Sequence, residues 1–388
     1  MTVKSAQTVV MRGMTWDHPR GVDGLRACDA LLLRRHGVVV EWEARSLLAF
    51  GDQHVADFAL DFDLMVIDHP HVPDAAAAGA LLPLDALQLA DLERESVGRS
   101  HESYRYRGTQ WALGVDAAAQ VSAFRPDRID GAPVFWSDVL ELARTGVVLW
   151  PYKPVDAFST FATLMAQRGA PLAEPDRFVD RGVAGEVLDF MIELAAVVPA
   201  WCADANPIDV AEALVGSSDH DDEYHVGVAL FGYTNYSRPG FRQQLLAYDD
   251  LPSFDGQSAG STLGGAGIAV SATTRHPELA SAVAATLAGA EAQLGPYTAG
   301  GGQPGNLRAW RSDTDNAATR GFFRNTLRTL ERAWVRPRVL GWPDVQFALS
   351  HLVRDAILAG RADDTVLDAI EQLPELHLRE PIVTGAPA

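Results

Sequence analysis

Short apolar runs alternate with helical patterns in the first part of the chain. The runs at residues 8–11, 38–42 and 63–67 predict three strands. Residues 22–36 repeat their apolar positions with a helical period and predict a helix between the first two strands. This alternation is typical of a parallel sheet covered by helices. We therefore expect an α/β fold with a sheet flanked by helices.

The pattern changes at about residue 133, where a second series of elements begins. Pro133 to Leu142 predicts a helix with Ser137 as its N-cap. A buried strand is predicted at residues 226–231, and a stretch rich in Gly, Ser and Ala leads into another strand at residues 267–270. The remaining helices are predicted at residues 158–167, 185–197, 277–292, 322–331 and 342–359.

The chain length of 388 residues exceeds what one hydrophobic core supports, because single cores stop growing at roughly 250–300 residues. Two lobes are therefore expected. The fractions of hydrophobic residues, 47%, and of charged residues, 21%, are those of a globular protein and not of a disordered or fibrous one. The formal charge of -19 and the scattered arginines exclude a nucleic-acid partner.

The two cysteines, Cys28 and Cys202, are far apart and form no Cys-x-x-Cys or metal-type spacing. Two buried thiols are expected, with a disulfide between them as the alternative. Residues 1–7 carry only Lys4, and the apolar segment after them is too short for a signal peptide. We therefore expect a cytoplasmic protein. No apolar run approaches the ~20 residues of a membrane span.

Two segments resemble the maltose-type extracellular solute-binding proteins, family 1, which are the receptors of bacterial carbohydrate importers. The segment Pro133 to Leu142, with Trp-Ser-Asp at its centre, is similar to the helix start that follows the first hinge crossing in that family. Residues 262–271, followed by His276-Pro277-Glu278, are similar to the family's return strand and next helix. The resemblance extends in pattern over nearly the whole chain.

This resemblance implies a two-lobed periplasmic-binding-protein type II fold. The implied lobes are residues 1–118 plus 256–304 and residues 119–255 plus 305–388. It also implies hinge closure around a small polar ligand in the cleft between the lobes. The family implies a carbohydrate, and the arginines of the chain leave a carboxylate-bearing ligand as the alternative. No cofactor and no metal are expected, and an ABC permease is an expected partner only if the protein is exported.

Ligands of parallel sheets bind beyond the carboxyl ends of the strands, so the residues that follow the first strand are candidates. Trp16, Asp17, His18 and Arg20 combine an indole for stacking with polar groups for hydrogen bonding. The structural alternative is that Trp16 packs in the core and Asp17 caps a helix.

The segment after the third strand carries Asp68 and His69, a carboxylate beside an imidazole. These residues suit ligand hydrogen bonding or acid–base work. A metal site would require that Asp17, His18, Asp68 and His69 converge, and Pro70 disfavours a chelating turn at His69.

The second lobe offers a polar aromatic loop and an aromatic strand end as candidates. The loop contains Tyr233, Asn235, Tyr236 and Arg238, and the strand end contains Trp150 and Tyr152. Aromatic packing without a ligand is the alternative for both. Gly264, Gly265 and Gln303 are the remaining candidates, because a glycine lets backbone amides approach a ligand closely.

Three functions are consistent with these residues. The leading hypothesis is a cytoplasmic binding protein for a small polar ligand. The second is a cytoplasmic enzyme that uses Asp17, His18, Asp68 or His69 as acid–base groups, although the sequence contains no nucleophile elbow or dinucleotide motif. The third is an importer receptor whose export signal lies outside this sequence.

Overall fold

The computed structural model describes residues 8–46, 55–216 and 224–382. Met1 to Gln7, on which the argument about export rests, lie outside the described residues. The strands are β1 Val9–Trp16, β2 Val38–Arg45, β3 Leu64–Ile67, β4 Arg105–Tyr106, β5 Thr109–Gln110, β6 Ala112–Phe124, β7 Val148–Leu149, β8 Val226–Phe231, β9 Ala247–Asp249 and β10 Leu263–Val270.

The helices follow the same chain order. They are α1 Pro19–Ala27, α2 Asp29–His36, α3 Val72–Ala77, α4 Ala90–Arg94, α5 Trp136–Ala143, α6 Pro154–Gln167, α7 Arg181–Ala195, α8 Pro207–Leu214, α9 Pro277–Ala288, α10 Ala290–Ala292, α11 Leu307–Trp310, α12 Asp313–Ala318, α13 Phe322–Glu331, α14 Trp342–Ala359 and α15 Asp364–His377. None of the described helices is both long and apolar enough to cross a membrane.

The chain divides into two compact units. Unit 1 contains residues 1–117 and 265–315, and unit 2 contains residues 118–264 and 316–388. The return to unit 1 comes later than the predicted residue 256, because β10 starts in unit 2, where the Leu263 N–H donates to the Trp334 carbonyl at 2.8 Å. The last crossing comes later than residue 305, because α11 stays in unit 1 through the Leu307 N–H to Glu95 carbonyl bond of 2.7 Å.

Unit 1 contains the strands β2, β1, β3 and β10 of the main sheet, in that order. β1 is parallel to β2 and to β3, and β10 is antiparallel to β3. The buried apolar side chains of unit 1 form a core on each face of the sheet. One core joins Leu25 and Leu32 of the first two helices to Val283 and Leu287 of α9. The other core contains Phe58, Phe62 and Tyr104, among other side chains. A sheet that is covered on both faces explains why β3 is apolar throughout.

The helix predicted over residues 22–36 is two helices, α1 and α2, separated at Cys28. The first helix begins at Pro19, earlier than predicted, because His18 caps it and proline fits the first helical position. The apolar pattern continues across the break between the two helices, because Leu25 of α1 and Leu32 of α2 face the same core.

Unit 2 has β7, β8 and β6 as consecutive strands, with β9 paired to β6. β7 and β8 are parallel, and β6 is antiparallel to β8. Helix α14 packs against α6 and α7. The strand at 226–231 and the helices at 322–331 and 342–359 have the limits that the sequence predicts, whereas α15 was not predicted.

The predicted N-cap of α5 is wrong. Phe135 is the N-cap, and Ser137 lies inside the helix with its hydroxyl directed to Asp138. Trp136 sets the start instead, because its indole is buried and donates to the Gln167 side chain at 2.7 Å. A tertiary contact therefore outweighs the local capping preference of serine.

Both cysteines are free and buried, as predicted. Burial raises the pKa of Cys28 and of Cys202 to about 12. Because the thiolate is the reactive form, neither side chain is a nucleophile at neutral pH.

Acid is expected to destabilise unit 1 through His101, whose ring is buried. Burial lowers its pKa from 6.5 to about 4, so the unfolded chain binds this proton more readily than the folded chain. The contribution of the neutral His101 ring to the free energy of unfolding is intact above pH 6.5. It is lost as the pH falls towards 4, and the loss is ~2 kcal/mol at pH 5. Urea unfolding at pH 7.5 and 5 should show a smaller loss in His101→Gln than in the wild type. An equal loss in both proteins would contradict this assignment.

Candidate functional site

The first and third strands of unit 1 end at the same edge of its sheet. β1 and β3 are parallel neighbours, with Gly13 opposite Leu64. The loops after them, residues 16–20 and 68–71, therefore emerge together, and we call them the unit 1 edge. The sequence predicts candidate residues in both of these loops.

The β1 loop is held by the start of α1. His18 is the N-cap of α1, and its Nδ1 accepts the Arg20 N–H at 3.0 Å, so the cap is His18 and not Asp17. Asp17 is exposed. The Trp16 indole is buried and packs where a Cβ on Gly21 would lie. The structural alternative that the sequence left open for Trp16 therefore describes its packing.

Arg20 forms a buried ion pair within unit 1. Its Nε and Nη2 donate to Asp116 Oδ2 and Oδ1 at 2.8 and 2.5 Å, and the two side chains are 4% and 1% exposed. Burial raises the pKa of Asp116, and the Arg20 charge opposes that rise. A bidentate pair of this kind uses the same pair of N–H donors with which the guanidinium would otherwise bind a ligand carboxylate.

The β3 loop begins with Asp68, whose Oδ1 accepts the His69 N–H at 2.8 Å. The same oxygen lies 3.2 Å from His69 Nδ1. The His69 ring is fully buried and meets Tyr104 edge to face at 6.1 Å between centroids. Asp68 thus fixes the imidazole that follows it.

Metal binding has no support among the described ranges, where no group of three His, Cys, Asp or Glu side chains is placed to hold an ion. Asp17, His18, Asp68 and His69 are therefore not assembled as the ligand set that a metal site would require. His18 Nδ1 accepts the Arg20 N–H, and His69 is buried beside Tyr104.

Gln303 and Gly265 contact β6 at Asp116 and Ala117, the last residues of this strand that belong to unit 1. Gln303 Nε2 donates to the Ala117 carbonyl at 2.8 Å, and the Ala117 N–H donates to the Gln303 carbonyl at 3.1 Å. Gly265 has a φ of +99°, and a Cβ there would collide with the Asp116 carbonyl. In unit 2, a Cβ on Gly264 would lie 2.7 Å from the Phe231 ring. Close packing of the protein itself therefore accounts for both glycines.

The two parallel strands of unit 2 are neighbours but end at different levels, since β7 ends at Leu149 opposite Gly227 and β8 continues to Phe231. β7 and β8 are paired, with Val148 opposite Val226, and the segments after them are residues 150–156 and 232–238. We call these two segments the unit 2 edge. The two aromatic candidates of the sequence, the strand end after β7 and the loop after β8, therefore follow neighbouring strands.

Trp150 and Tyr152 stack on each other, with 4.8 Å between ring centroids and 23° between planes. The Trp150 indole donates to Thr160 Oγ1 at 3.1 Å, and Gln120 Nε2 donates to the same hydroxyl. Both aromatic side chains are buried. This network fixes the orientation of the aromatic strand end.

The loop after β8 is fixed by Glu212 of α8. Tyr236 donates its hydroxyl to Glu212 Oε1 at 2.6 Å, and Arg242 Nε donates to Glu212 Oε2 at 2.9 Å. Burial and the Glu212 carboxylate raise the pKa of Tyr236. Tyr233 is buried at the start of the short helix over Thr234–Ser237, and Arg238 is half-buried at its end. The loop is thus rigidly attached to α8.

Sequence reasoning missed two buried carboxylates, Asp116 and Asp156. Asp116 lies in an alanine-rich strand, and Asp156 occupies the first turn of a helix, where aspartate is common for its interaction with the helix dipole. Neither context distinguishes a buried carboxylate from an exposed one. An isolated acid within a long apolar strand was the only available signal, and it applies to Asp116 alone.

Comparison with known proteins gives structural relatives but no sequence relatives. No protein-family model matches the chain, and no curated protein sequence matches it significantly. A maltose-bound MalE3 of T. maritima is 19% identical, with a TM-score of 0.79 over 95% of this chain and 99% of that one. A solute-binding protein of Thermotoga lettingae bound with α-D-tagatose is 15% identical, with a TM-score of 0.79 over 96% and 98%. A solute-binding protein of Agrobacterium radiobacter in complex with ribitol is 17% identical, with a TM-score of 0.79 over 95% and 99%.

These similarities define the class of fold. The chain has the two-lobed α/β fold of the maltose-type solute-binding proteins over nearly its whole length. The fold class that the strand and helix pattern predicts, and that the motifs near residues 133 and 262 indicate, is confirmed. With sequence identities of 15–19%, these relatives show that the fold is shared and nothing more.

Proposed function

We propose that this chain is a solute-binding protein for a small polyhydroxylated ligand, a sugar or a sugar alcohol. The observation that carries the proposal is the fold itself, which extends over at least 95% of the chain and is shared with proteins described as bound with maltose, α-D-tagatose and ribitol. Because fold alone does not fix function, the residues at the strand ends must supply the recognition.

The unit 2 edge has the composition that suits such a ligand. Tyr152 and Tyr233 are aromatic residues of the kind that stack on the C–H face of a sugar, although both rings are buried in this structure. Asn235 offers an amide for hydroxyl groups. At the unit 1 edge, Asp17 and Asp68 supply further acceptors, since Asp17 is exposed and Asp68 partly exposed. We further propose that the ligand is held between the units and that hinge closure removes it from water.

The catalytic alternative has less support from the geometry. His69 is fully buried, and His18 uses Nδ1 to cap α1. A general base needs a ring nitrogen within hydrogen-bond reach of the substrate proton. We therefore assign His18 and His69 to positioning and not to acid–base catalysis.

A thermal-shift screen of neutral sugars and sugar alcohols tests the proposal. A compound at 100 times its Kd stabilises the folded protein by ~2.7 kcal/mol and should raise the Tm by a few degrees. Tyr233→Ala should lose this shift, whereas Phe347→Ala, at an exposed aromatic of α14, should keep it. A binding compound should be recovered unchanged after incubation. If no sugar or polyol raises the Tm, or if the compound is converted, the proposed function is wrong.

A further inference from the structure

A surface groove lies in unit 2, between the segment that joins α6 to α7 and the end of α15. Residues 174–178 line one side of it, and residues 374–375 and 378–382 line the other side. Its volume is about 540 Å³, within the range of ~300–1,000 Å³ that is typical of binding sites. None of these residues belongs to the unit 2 edge. We call this feature the unit 2 groove.

Hydrogen bonds fix both sides of the unit 2 groove. On one side the Ala173 N–H donates to the Phe178 carbonyl at 2.8 Å. On the other side the Arg379 N–H donates to the Leu340 carbonyl at 3.0 Å, and the Leu340 N–H donates to Glu380 Oε1 at 2.9 Å. Because unit 2 makes these bonds by itself, the groove forms without a partner.

The unit 2 groove has an apolar lining that stays partly open to solvent. Phe178, Leu378 and Ile382 line it and are only partly buried. The Phe178 ring packs against the fully buried Trp342, with 6.3 Å between ring centroids. The other apolar residues of the lining are prolines, namely Pro175, Pro374 and Pro381. Exposed apolar surface that is rimmed by polar residues is typical of an interaction site.

The charge of the unit 2 groove is acidic. Four carboxyl groups line it, those of Glu174, Asp176, Glu375 and Glu380. Two arginines also line it, but Arg177 donates to Asp180 at 2.9 Å and Arg379 donates to Asp344 at 3.4 Å. Since neither Asp180 nor Asp344 lines the groove, its arginines are shared with acids outside it, and the lining keeps an excess of negative charge. A cationic partner is attracted here, and an anionic one is repelled.

We propose that the unit 2 groove binds a basic amphipathic segment of a partner protein. The apolar side chains of this segment pack on Phe178, Leu378 and Ile382, and its lysine or arginine side chains meet the carboxylates of the lining. Apolar anchors give such a contact its affinity, and complementary charge gives it specificity. The proposal concerns unit 2 alone and does not depend on the ligand proposed for the strand ends.

A designed peptide tests the proposal on the full chain. The probe is an amphipathic helix of about 14 leucine and lysine residues, and its control has glutamate in place of each lysine. Fluorescence anisotropy of the labelled peptide gives the Kd. The lysine peptide should bind, and its binding should weaken as the salt concentration rises from about 50 to about 300 mM, because salt screens the charges. The glutamate peptide should not bind.

Two charge-reversal variants locate the contact. Asp176→Lys with Glu375→Lys reverses two exposed acids of the groove and should weaken binding of the lysine peptide by at least about tenfold. Glu141→Lys with Asp189→Lys makes the same change of charge at two exposed acids that do not line the groove. This second variant should leave the Kd within about twofold of the wild-type value, because distant exposed charges are screened.

The apolar part of the groove has its own pair of variants. Leu378→Ser should weaken binding by about tenfold, because a partly buried leucine no longer packs on the peptide. Leu376→Ser, two residues away at a side chain that is 70% exposed and does not line the groove, should leave the Kd unchanged. Leu378→Met keeps an apolar side chain and should bind as the wild type does. The Tm of each variant shows whether it is folded.

Four outcomes overturn the proposal. The first is that the lysine peptide does not bind, and the second is that both charge-reversal variants weaken its binding equally, which assigns the attraction to the overall acidity of the chain. The third is that a chain ending at Ile382 binds the peptide more than about tenfold more tightly, which assigns the groove to residues 383–388 of the chain itself. The fourth is self-association in sedimentation that Asp176→Lys with Glu375→Lys abolishes, which assigns the groove to a second copy.

Discussion

Replacing Arg20 by methionine is expected to lower the free energy of unfolding by about 3–5 kcal/mol. The substitution leaves the Asp116 carboxylate, which is 1% exposed, without the two hydrogen bonds that it accepts at 2.8 and 2.5 Å. A buried charge without a partner loses its hydration and gains nothing in return. Urea unfolding at pH 7 would measure the change.

A double variant and a surface pair serve as controls for Arg20. Arg20→Met with Asp116→Leu should recover much of the loss, because apolar side chains of similar volume can replace a buried ion pair. Glu193→Gln breaks the exposed Arg144–Glu193 pair and should cost no more than ~1 kcal/mol. If Arg20→Met cost as little as Glu193→Gln, the buried pair would not be a main stabilising contact of unit 1.

Replacing Asp156 by asparagine is expected to stabilise the protein increasingly as the pH rises. The pKa of Asp156 is raised to about 8, mainly by burial, whereas the unfolded chain has an ordinary aspartate. Between pH 4 and 8 the folded state therefore binds this proton more tightly, so the wild type loses stability as the pH rises. The loss approaches on the order of 5 kcal/mol above pH 8. Asparagine cannot ionise and avoids this loss.

Urea unfolding of the wild type and of Asp156→Asn at pH 5, 7 and 8.5 would measure this difference. The gap between the two free energies should widen with pH, and Asp138→Asn should show no such widening. Parallel curves for wild type and Asp156→Asn would contradict a buried, unpaired carboxyl.

The sequence predicts where a site should lie, but it does not predict the contacts that the residues there make. The rule that ligands bind beyond the carboxyl ends of strands selected the loops at Trp16, Asp68 and Tyr233 from the sequence. The partners of these loops are distant in sequence, however. Arg20 binds Asp116, and Tyr236 binds Glu212, which no local pattern could have indicated.

The sequence by itself determined the α/β class and most of the regular elements, because the periods of apolar residues depend only on the geometry of helices and strands. It also indicated the family of fold through the order of its motifs. Tertiary structure alone decided which polar side chains are buried and what they bind. Asp116 meets a guanidinium and Asp156 meets no donor among the described residues, although both are ordinary aspartates in the sequence. The reason is that burial and pairing depend on segments that are brought together only when the chain folds.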